Sequence, residues 1–578
     1  MKPVSTGLAL VLACSLLAAD DTTKGGVKPG SDTLMLSYPN DPNTINPVLA
    51  NDTVSEAFMR YVVDTLADRK MENPDEFEPQ LAEKWEFDEK ALEYTIHLRK
   101  GVKWHATKLP DGTPIPPKEF TSADVKFTFD AIVNKNVDSA SFRSYYEDEN
   151  AKDESEKIKI KVTVLDKYTV KVKWTKPYFL AMEFTLGIPI IPKHVYSVDA
   201  KGEPISLDIL SEEFAKGFND HWANSQLVGT GPLIFTKWTK NDRLELVRNP
   251  DYWGKPFYFS KLVYRNIPNP NTSLKMMLNG ELDWIGIGDK NLYIQTKDDP
   301  AVKAGKAKLV EYDYPGYRYI GWNQKREIFR EKAVRTALAH AIPVQKIIDK
   351  VLYGLGTPLS GPFLPTSSAS DSSLKPLDYD LEKAKKILAD AGWTDTNGNG
   401  VRGKTINGKH FDLKFDFMIY ADAPMYKTIA EILKEEYRQI GVDVQISPAK
   451  WALMLEKLHK KEFDACMLGW AMSWKQDLYQ IWHSSQAEMP ESSNSIGYKS
   501  PELDRLIEEM RVTFNTDKQK ELYHRMHRIL YDDQPYAFLF VDKATSGHQA
   551  RIRNAKFYRI RPCLDESEWY APTEEARK

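Results

Sequence analysis

The sequence is poor in cysteine: its 578 residues include three, at positions 14, 466 and 563. No two of these cysteines stand at zinc-binding spacing, so the sequence offers no cysteine-based structural metal site. Cys466 and Cys563 could pair in an oxidising compartment, but the sequence does not show whether their Cα atoms lie within bridging distance. We favour two buried thiols at these positions over a disulfide.

The chain also lacks an excess of charge and a second long apolar run. Its formal charge of −3 comes from 79 basic and 82 acidic residues, scattered along the chain, which argues against a nucleic-acid-binding surface. Apart from the amino terminus, no segment is apolar over a length that could span a membrane. Because one hydrophobic core stops growing near roughly 250–300 residues, a chain of this length predicts at least two lobes.

Catalytic motifs are missing as well. The sequence has no Gly-rich phosphate loop and no Gly-x-Ser-x-Gly elbow. The segment from Asp395 to Gly400 is similar to the start of a calcium loop, but Ile406 stands where the bidentate glutamate is needed. His524 and His527 lie on one helix face without the acidic residue of a metalloprotease motif, so we expect them at the surface. We therefore predict no cofactor, no metal and no enzyme. Scattered carboxylates can still pair in three dimensions, which leaves a secreted carbohydrate-active hydrolase as the alternative from a different class.

The amino terminus is typical of an exported protein. Residues 4–19 form an apolar stretch after Lys2, too short for a bilayer and suited to a signal-peptide core. Residues 11–14, VLAC, resemble a bacterial lipobox, which predicts that Cys14 carries lipid and becomes the mature amino terminus; cleavage after Ala19 is the competing possibility. Residues 20–31 are polar and rich in glycine, as expected of a tether.

Hydrophobic periodicity alternates between strand and helix along the chain, which predicts an α/β architecture. Residues 158–174 alternate as a hairpin with a turn at 166–167. Asp380 is expected to cap a helix that stops at Gly392, and a further helix stops at Gly441 before a strand. Ser500 and Asp517 are each expected to open a helix.

Short motifs occur in order along the chain, beginning with LAEKW at 81–85. The other motifs lie at 94–105, 111–114, 121–125, 191–194, 229–232, 248–254, 280–283, 319–323, 334–338, 463–464, 469–470, 494, 497–498 and 501–504. This ordered set, in a chain segment from residue 35 to nearly 575, resembles the oligopeptide and dipeptide family of bacterial extracellular solute-binding proteins, family 5. Residues 106–110 lengthen one loop relative to the family pattern, and Pro343 replaces the usual Asp at a helix start.

The resemblance implies a periplasmic-binding-protein type II-like fold, in which two lobes joined by a hinge close over a cleft, with an additional domain. Carried over by position, residues 32–75, 201–308 and 545–578 would form lobe I. The additional domain would span 76–200, and lobe II would span 309–544.

The resemblance also implies a function: capture of peptides for an ABC importer, with a separate permease and ATPase as partners. A lipid anchor to the membrane and a monomeric state are expected, and no nucleic acid. In peptide-binding relatives an Asp three residues after the Trp of the Gly-Trp motif receives the peptide's amino terminus. That position here is Ser473, and Asp477 either replaces it or is structural. Oligosaccharides, opines and metal chelates remain as alternative solutes.

Six residues form the predicted ligand-binding set. Trp470, Trp474 and Tyr479 either stack on the ligand or pack inside lobe II, and Asn323 belongs to the motif at 319–323. The set is Asn323, Trp470, Ser473, Trp474, Asp477 and Tyr479.

Overall fold

A computed structural model describes residues 30, 32–148, 151, 153 and 157–575. The leader at 1–19 and Cys14 lie outside the described residues, as does the tether at 20–31 apart from Gly30. Strands and helices alternate along the described chain, which confirms the α/β prediction.

The strands are short except for the last one. In chain order they are β1 (Thr33–Tyr38), β2 (Ala67–Arg69), β3 (Phe77–Pro79), β4 (Ala82–Asp88), β5 (Glu93–Leu98), β6 (Thr107–Lys108), β7 (Pro114–Ile115), β8 (Ile160–Asp166), β9 (Thr169–Trp174), β10 (Leu233–Thr239), β11 (Arg243–Arg248), β12 (Lys261–Asn266), β13 (Trp284–Gly286), β14 (Ala307–Asp313), β15 (Gly316–Trp322), β16 (Gly356–Pro358), β17 (Gly403–Ile406), β18 (Lys409–Asp412), β19 (Lys414–Tyr420), β20 (Asp443–Ala449), β21 (Ala465–Ala471) and β22 (Tyr536–Gln549).

The helices are distributed along the whole described chain, and the two longest lie in its second half. They are α1 (Thr53–Met59), α2 (Ser122–Val133), α3 (Ala140–Tyr146), α4 (Ala181–Leu186), α5 (Lys193–Tyr196), α6 (Glu212–Asn219), α7 (Pro270–Leu278), α8 (Lys290–Thr296), α9 (Pro300–Lys303), α10 (Glu327–Arg330), α11 (Lys332–His340), α12 (Val344–Val351), α13 (Leu381–Asp390), α14 (Pro424–Gln439), α15 (Trp451–Lys460), α16 (Tyr479–Trp482), α17 (Pro501–Arg511) and α18 (Thr516–Asp533).

Lobe I is built on a four-stranded sheet in the order β1-β12-β11-β10. Alternate residues of β1 are buried, as in a strand with one face on a core. The carboxyl-terminal segment is fastened to this lobe by Arg551, whose Nε and Nη2 each lie 2.8 Å from a carboxylate oxygen of Asp283. The Arg551 guanidinium also contacts the carboxylate of Asp32, next to β1.

The additional domain is a second four-stranded sheet, in the order β4-β5-β9-β8. The predicted hairpin over 158–174 is confirmed as β8 and β9. The domain meets lobe I at the Gly-Thr-Gly-Pro motif, where the His105 N–H donates to the Gly229 carbonyl at 2.8 Å. Within lobe I, a Cβ on Gly229 would lie 1.6 Å from the Val62 carbonyl oxygen. Glycine is required there because two backbones touch, so this motif holds the fold together.

Lobe II contains the sheet β22-β15-β21-β19-β20, with helices packed on both faces. The predicted cap is confirmed: the Asp380 carboxylate accepts the Lys383 N–H at 2.8 Å. Two expectations were wrong. Helix α18 begins at Thr516 and is capped by Asn515, not opened by Asp517, because the Asn515 side chain reaches the Lys518 N–H. His527 is fully buried rather than at the surface, and its ring accepts the Asp371 N–H at 3.0 Å.

The two lobes are joined by strand β22 and by the β14–β15 connection. The first half of β22 pairs with β15 and β16, and its second half pairs with β14 and β13. The chain therefore crosses between the lobes near 313–316 and again near 542–543. The predicted boundaries at 308/309 and 544/545 fall inside these strands. Two adjacent crossings form a hinge, since few backbone torsions must change to move one lobe against the other.

Candidate functional site

The edge of lobe II that faces the hinge carries three loops. Strand β19 runs parallel to both β20 and β21, so the carboxyl ends of all three strands meet at one edge. The loop after β21 lies against the hinge, because the Met472 N–H donates to the carbonyl of Pro315 at 2.8 Å. Ligands of open α/β sheets bind outside the carboxyl ends of the strands, so this edge is the candidate site.

Two aromatic side chains stand on this edge that the sequence analysis did not select. Trp451 follows β20, is 48% exposed, and meets Tyr420 at the end of β19 edge to face, with 6.0 Å between ring centroids. A large exposed aromatic at a cleft edge offers contact area at little entropic cost. In the sequence Trp451 appears only as the first residue of an amphipathic helix, so periodicity gave no reason to single it out.

The loop after β21 brings Ser473 and Trp474 together. Ser473 is exposed, whereas Trp474 is partly buried and its indole N–H donates to the Asp75 carboxylate at 2.8 Å. Asp75 lies at the junction of lobe I and the additional domain, so Trp474 links lobe II to the opposite side of the cleft. A small pocket beside this link is lined by Ser473, Trp474 and, from lobe I, Arg559.

Asp477 is engaged by protein groups on both sides of the cleft. Its Oδ2 lies 3.0 Å from Nε of Arg511, in lobe II, and 3.2 Å from the hydroxyl of Tyr178, in the additional domain. The Arg511 guanidinium also lies over the Tyr178 ring, 5.5 Å from its centroid. We call Asp477, Arg511 and Tyr178 the latch.

Further contacts accompany the latch. The Phe179 N–H donates to the Arg511 carbonyl at 2.8 Å, and Phe87 packs edge to face on Phe514 with centroids 5.4 Å apart. Tyr178 and Tyr479 belong to one continuous apolar cluster that extends from the additional domain into lobe II. The two sides of the cleft are therefore in direct contact in this structure.

Burial shifts the ionisation of several groups around the latch. The pKa of the Tyr178 hydroxyl is raised well above its ordinary value by desolvation and then by the charge of Asp477, so it stays protonated and donates. The pKa of Lys475 is lowered by burial and then by the nearby charge of Arg69. The latch thus combines a neutral phenol with one carboxylate and one guanidinium.

Trp470 and Tyr479 pack within lobe II. The Trp470 ring lies parallel to that of Tyr319, 6.4 Å away. Tyr479 is buried, stacks on His483 with 4.4 Å between centroids, and its hydroxyl lies 3.0 Å from the Ser485 hydroxyl. These contacts fit the packing interpretation of both residues.

Asn323 is separated from the other five predicted residues. Strand β15 runs antiparallel to β21, so Asn323 follows the end of β15 that is opposite to Gly316 and Ala471. Seven residues of strand span roughly 23 Å. Its buried amide donates to the carbonyls of Lys461 and Phe463 at 3.0 and 2.6 Å, which orders the turn before β21.

The cysteine prediction is confirmed for the two described cysteines. Cys466 and Cys563 are both free and buried, and burial raises the pKa of each thiol to about 12.

Comparison with known proteins identifies the family. A profile described as "Bacterial extracellular solute-binding proteins, family 5 Middle" matches residues 76–489. This chain belongs to that family. The match covers the additional domain, the 201–308 part of lobe I and most of lobe II, including the edge with Trp451 and the loop with Ser473.

Relatives align over almost the whole chain. The oligopeptide-binding protein AppA of Bacillus subtilis is 29% identical, over 98% of this chain and 96% of its own length. Heme-binding protein A of Haemophilus influenzae is 27% identical, over 92% of both chains. The structure of AppA from Bacillus subtilis with a nonapeptide superposes with a TM-score of 0.72 and 24% identity, over 94% of this chain and 100% of that one.

The family assignment confirms the predicted type II periplasmic-binding fold with its hinge and cleft. Extracellular solute-binding proteins act outside the cytoplasmic membrane, which agrees with the predicted export. In the described part of the chain, no helix has the length and apolar character needed to cross a membrane.

Proposed function

We propose that this protein captures peptides in the cleft between its lobes and delivers them, unaltered, to a membrane permease driven by a separate ATPase. The observation that carries the proposal is the double crossing of the chain at 313–316 and 542–543, a hinge beside a cleft edge that bears the exposed aromatic residue Trp451. Similarity over nearly the full length to AppA, named as an oligopeptide-binding protein, supports peptides as the solute.

Closure would follow from a population shift. A solute that contacts both lobes stabilises the closed form relative to the open one, and the permease then recognises the closed form. In this proposal the latch and the Trp474–Asp75 hydrogen bond are part of the closed state, because each joins lobe II to the opposite side of the cleft.

Within this scheme we assign the ligand contacts to the hinge-facing edge of lobe II. Ser473 and Trp474 from the predicted set, together with Trp451 and Tyr420, would line the cleft. Asp477 would act as the latch carboxylate and not as the acceptor of a peptide amino terminus, since Arg511 and Tyr178 already use it. Trp470, Tyr479 and Asn323 would support the loops from within lobe II.

We further propose that Cys14 is lipid-modified after export and holds the folded body at the membrane through the tether. Mass spectrometry of the protein purified from membranes tests this directly. An intact diacylated amino terminus at Cys14 is expected, and a mature chain beginning at Asp20 would contradict it. A single monomer mass in solution is expected as well.

The test of peptide capture is a ligand screen on residues 20–578, stripped of bound solute by unfolding and refolding. Peptides of two to nine residues, oligosaccharides and metal chelates are compared by thermal shift, because a ligand that binds only the folded state raises its stability. We expect peptide-selective shifts and recovery of the peptide uncut by mass spectrometry. A shift with sugars or chelates alone would overturn the peptide assignment, and a cleaved ligand would overturn the binding-protein assignment.

A matched pair of variants makes the screen site-specific. Trp451→Ala removes the exposed aromatic of the cleft edge and is expected to weaken peptide binding several-fold, since an aromatic contact contributes about 0.5–1.5 kcal/mol. Leu207→Ala alters a side chain that is 96% exposed and far along the chain from the proposed contacts, and it should leave binding unchanged.

A further inference from the structure

A pocket beside the hinge is built from three parts of the molecule. Arg559 comes from the carboxyl-terminal segment of lobe I, Pro315 from the crossing between the lobes, and Ser473 and Trp474 from lobe II, with Thr366 from a neighbouring loop. Arg559 is the one charged residue among the described residues that line this pocket, and no carboxylate faces it there. An ammonium group would therefore find no counter-charge in the pocket, whereas an anion would.

The Arg559 guanidinium differs from its neighbours along the chain. Three other arginines of the same segment are engaged by carboxylates: Arg551 by Asp283, Arg553 by Glu575 at 2.7 Å, and Arg561 by Glu56 at 3.4 Å. Arg559 makes no hydrogen bond and no ion pair within the described ranges. Five N–H donors of a permanent cation are thus available to a ligand.

Two hydroxyl groups in the pocket are likewise available. Neither Ser473 nor Thr366 makes a side-chain hydrogen bond to a described part of the protein. A planar guanidinium with adjacent hydroxyl donors suits a carboxylate, which accepts two parallel hydrogen bonds from Arg and further ones from hydroxyls.

We propose that this pocket binds a carboxylate of the captured solute, with Arg559 as the cationic partner and Ser473 and Thr366 as hydroxyl donors. The proposal rests on peptide capture and names the group that the site selects. Because Arg559 belongs to lobe I and Ser473 to lobe II, one bound carboxylate joins both lobes. The same contact therefore gives selectivity for an anionic group and stabilises the closed form.

The test uses pools of synthetic peptides of two to nine residues in four forms. Within the pools the carboxyl terminus is either the free acid or the amide, and the acidic side chain is either Glu or Gln. Dissociation constants for wild type, Arg559→Gln and Arg559→Lys are measured by titration calorimetry. Arg561→Gln is the matched control, because Arg561 is an exposed arginine two residues away that does not line the pocket.

We expect wild type to prefer one acidic form by about 10- to 100-fold, the range for hydrogen bonds between charged groups. Arg559→Gln should lose this preference, Arg559→Lys should keep part of it, and Arg561→Gln should keep all of it. A preference for the free carboxyl terminus identifies the terminus as the source, and a preference for Glu over Gln identifies the side chain. Binding should also weaken as salt is raised.

Two outcomes overturn the proposal in distinguishable ways. If wild type binds peptides but ignores amidation and the Glu-to-Gln change, or if Arg559→Gln binds acids as tightly as wild type does, the carboxylate pocket is wrong while peptide capture stands. If no pool binds to wild type, peptide capture fails and the carboxylate pocket fails with it.

Discussion

Arg551 and Arg559 lie eight residues apart on the same carboxyl-terminal segment, yet they differ in burial and in charge partners. The Arg551 side chain is 12% exposed and is surrounded by the carboxylates of Asp32 and Asp283. Arg559 is exposed to a pocket and has no partner in the described chain. The first arginine therefore stabilises lobe I, whereas the guanidinium of the second is accessible to a ligand. Arg511, in the latch, lies between these extremes with one partly buried carboxylate.

The largest effect is expected from removing the Arg551 charge. Arg551→Met would leave two carboxylates that are at most 1% exposed without their cation, and breaking a buried pair in this way costs about 3–5 kcal/mol. Urea unfolding of Arg551→Met and Arg559→Met measures the difference. Equal losses of stability in the two variants would show that Arg551 and Arg559 contribute equally to stability, contrary to the prediction.

The pH dependence of stability tests a different kind of buried group: a histidine that is neutral in the folded protein, in contrast to the charged and paired Arg551. Burial lowers the pKa of His527 to about 4, against about 6.5 in an unfolded chain. The unfolded state therefore binds the proton first, so stability falls as pH decreases from 6.5 towards 4, by about 2 kcal/mol for this residue at pH 5. Arg551 stays charged throughout because its carboxylates compensate it.

Unfolding free energies at pH 7 and pH 5 measure this loss. His105 and His221 have pKa values lowered to about 4 in the same way, so their losses should add to that of His527. A stability that is flat between pH 6.5 and 5 would contradict the prediction.

The latch should give an intermediate effect. Asp477→Asn removes a partly exposed ion pair, so we expect a loss of at most about 1 kcal/mol in stability and a several-fold rise in the peptide dissociation constant. Asp477→Asn and Arg511→Met should be non-additive, because each breaks the same contact.

Amino-terminal acetylation separates the latch from the alternative role of Asp477. If Asp477 received a peptide amino terminus, acetylating the ligand would weaken binding to wild type and leave binding to Asp477→Asn unchanged. For a latch, acetylation should affect both proteins equally. The measurement is a set of four dissociation constants.

The smallest effect on stability is expected at Arg559. Arg559→Met removes no described contact, so the free energy of unfolding should change by no more than about 0.5 kcal/mol. Binding of acidic peptides should nevertheless weaken. A loss of stability comparable to that of Arg551→Met would mean that Arg559 is a structural residue.

Local structure could be read from the sequence because its signals lie close together along the chain. The cap at Asp380 and the stop at Gly441 depend on residues within one helical turn, and both are present as predicted. The hairpin of β8 and β9 follows from alternation alone. The start of α18 was misplaced since Asn515 and Asp517 are both good caps, and only backbone geometry selects the first.

Only part of the candidate site could be predicted from the sequence. The Gly-Trp motif led to Ser473, Trp474 and Asp477, which do lie at the hinge-facing edge. Asn323 belongs to the family motif at 319–323, but it lies at the other end of the sheet and orders a turn there. Trp451 and Arg559 carried no signal in the sequence that distinguishes them from an ordinary surface aromatic and an ordinary surface arginine.

The α/β class, the ordered motifs of the family and the local caps and turns could be predicted from the sequence, since each depends on neighbouring residues. Which charges are paired depends on the tertiary structure. Tyr178 and Asp477 are 299 residues apart in the chain but in contact across the cleft. Whether an arginine has a carboxylate beside it depends on strand order and lobe closure, because these bring distant segments within a few ångströms of each other.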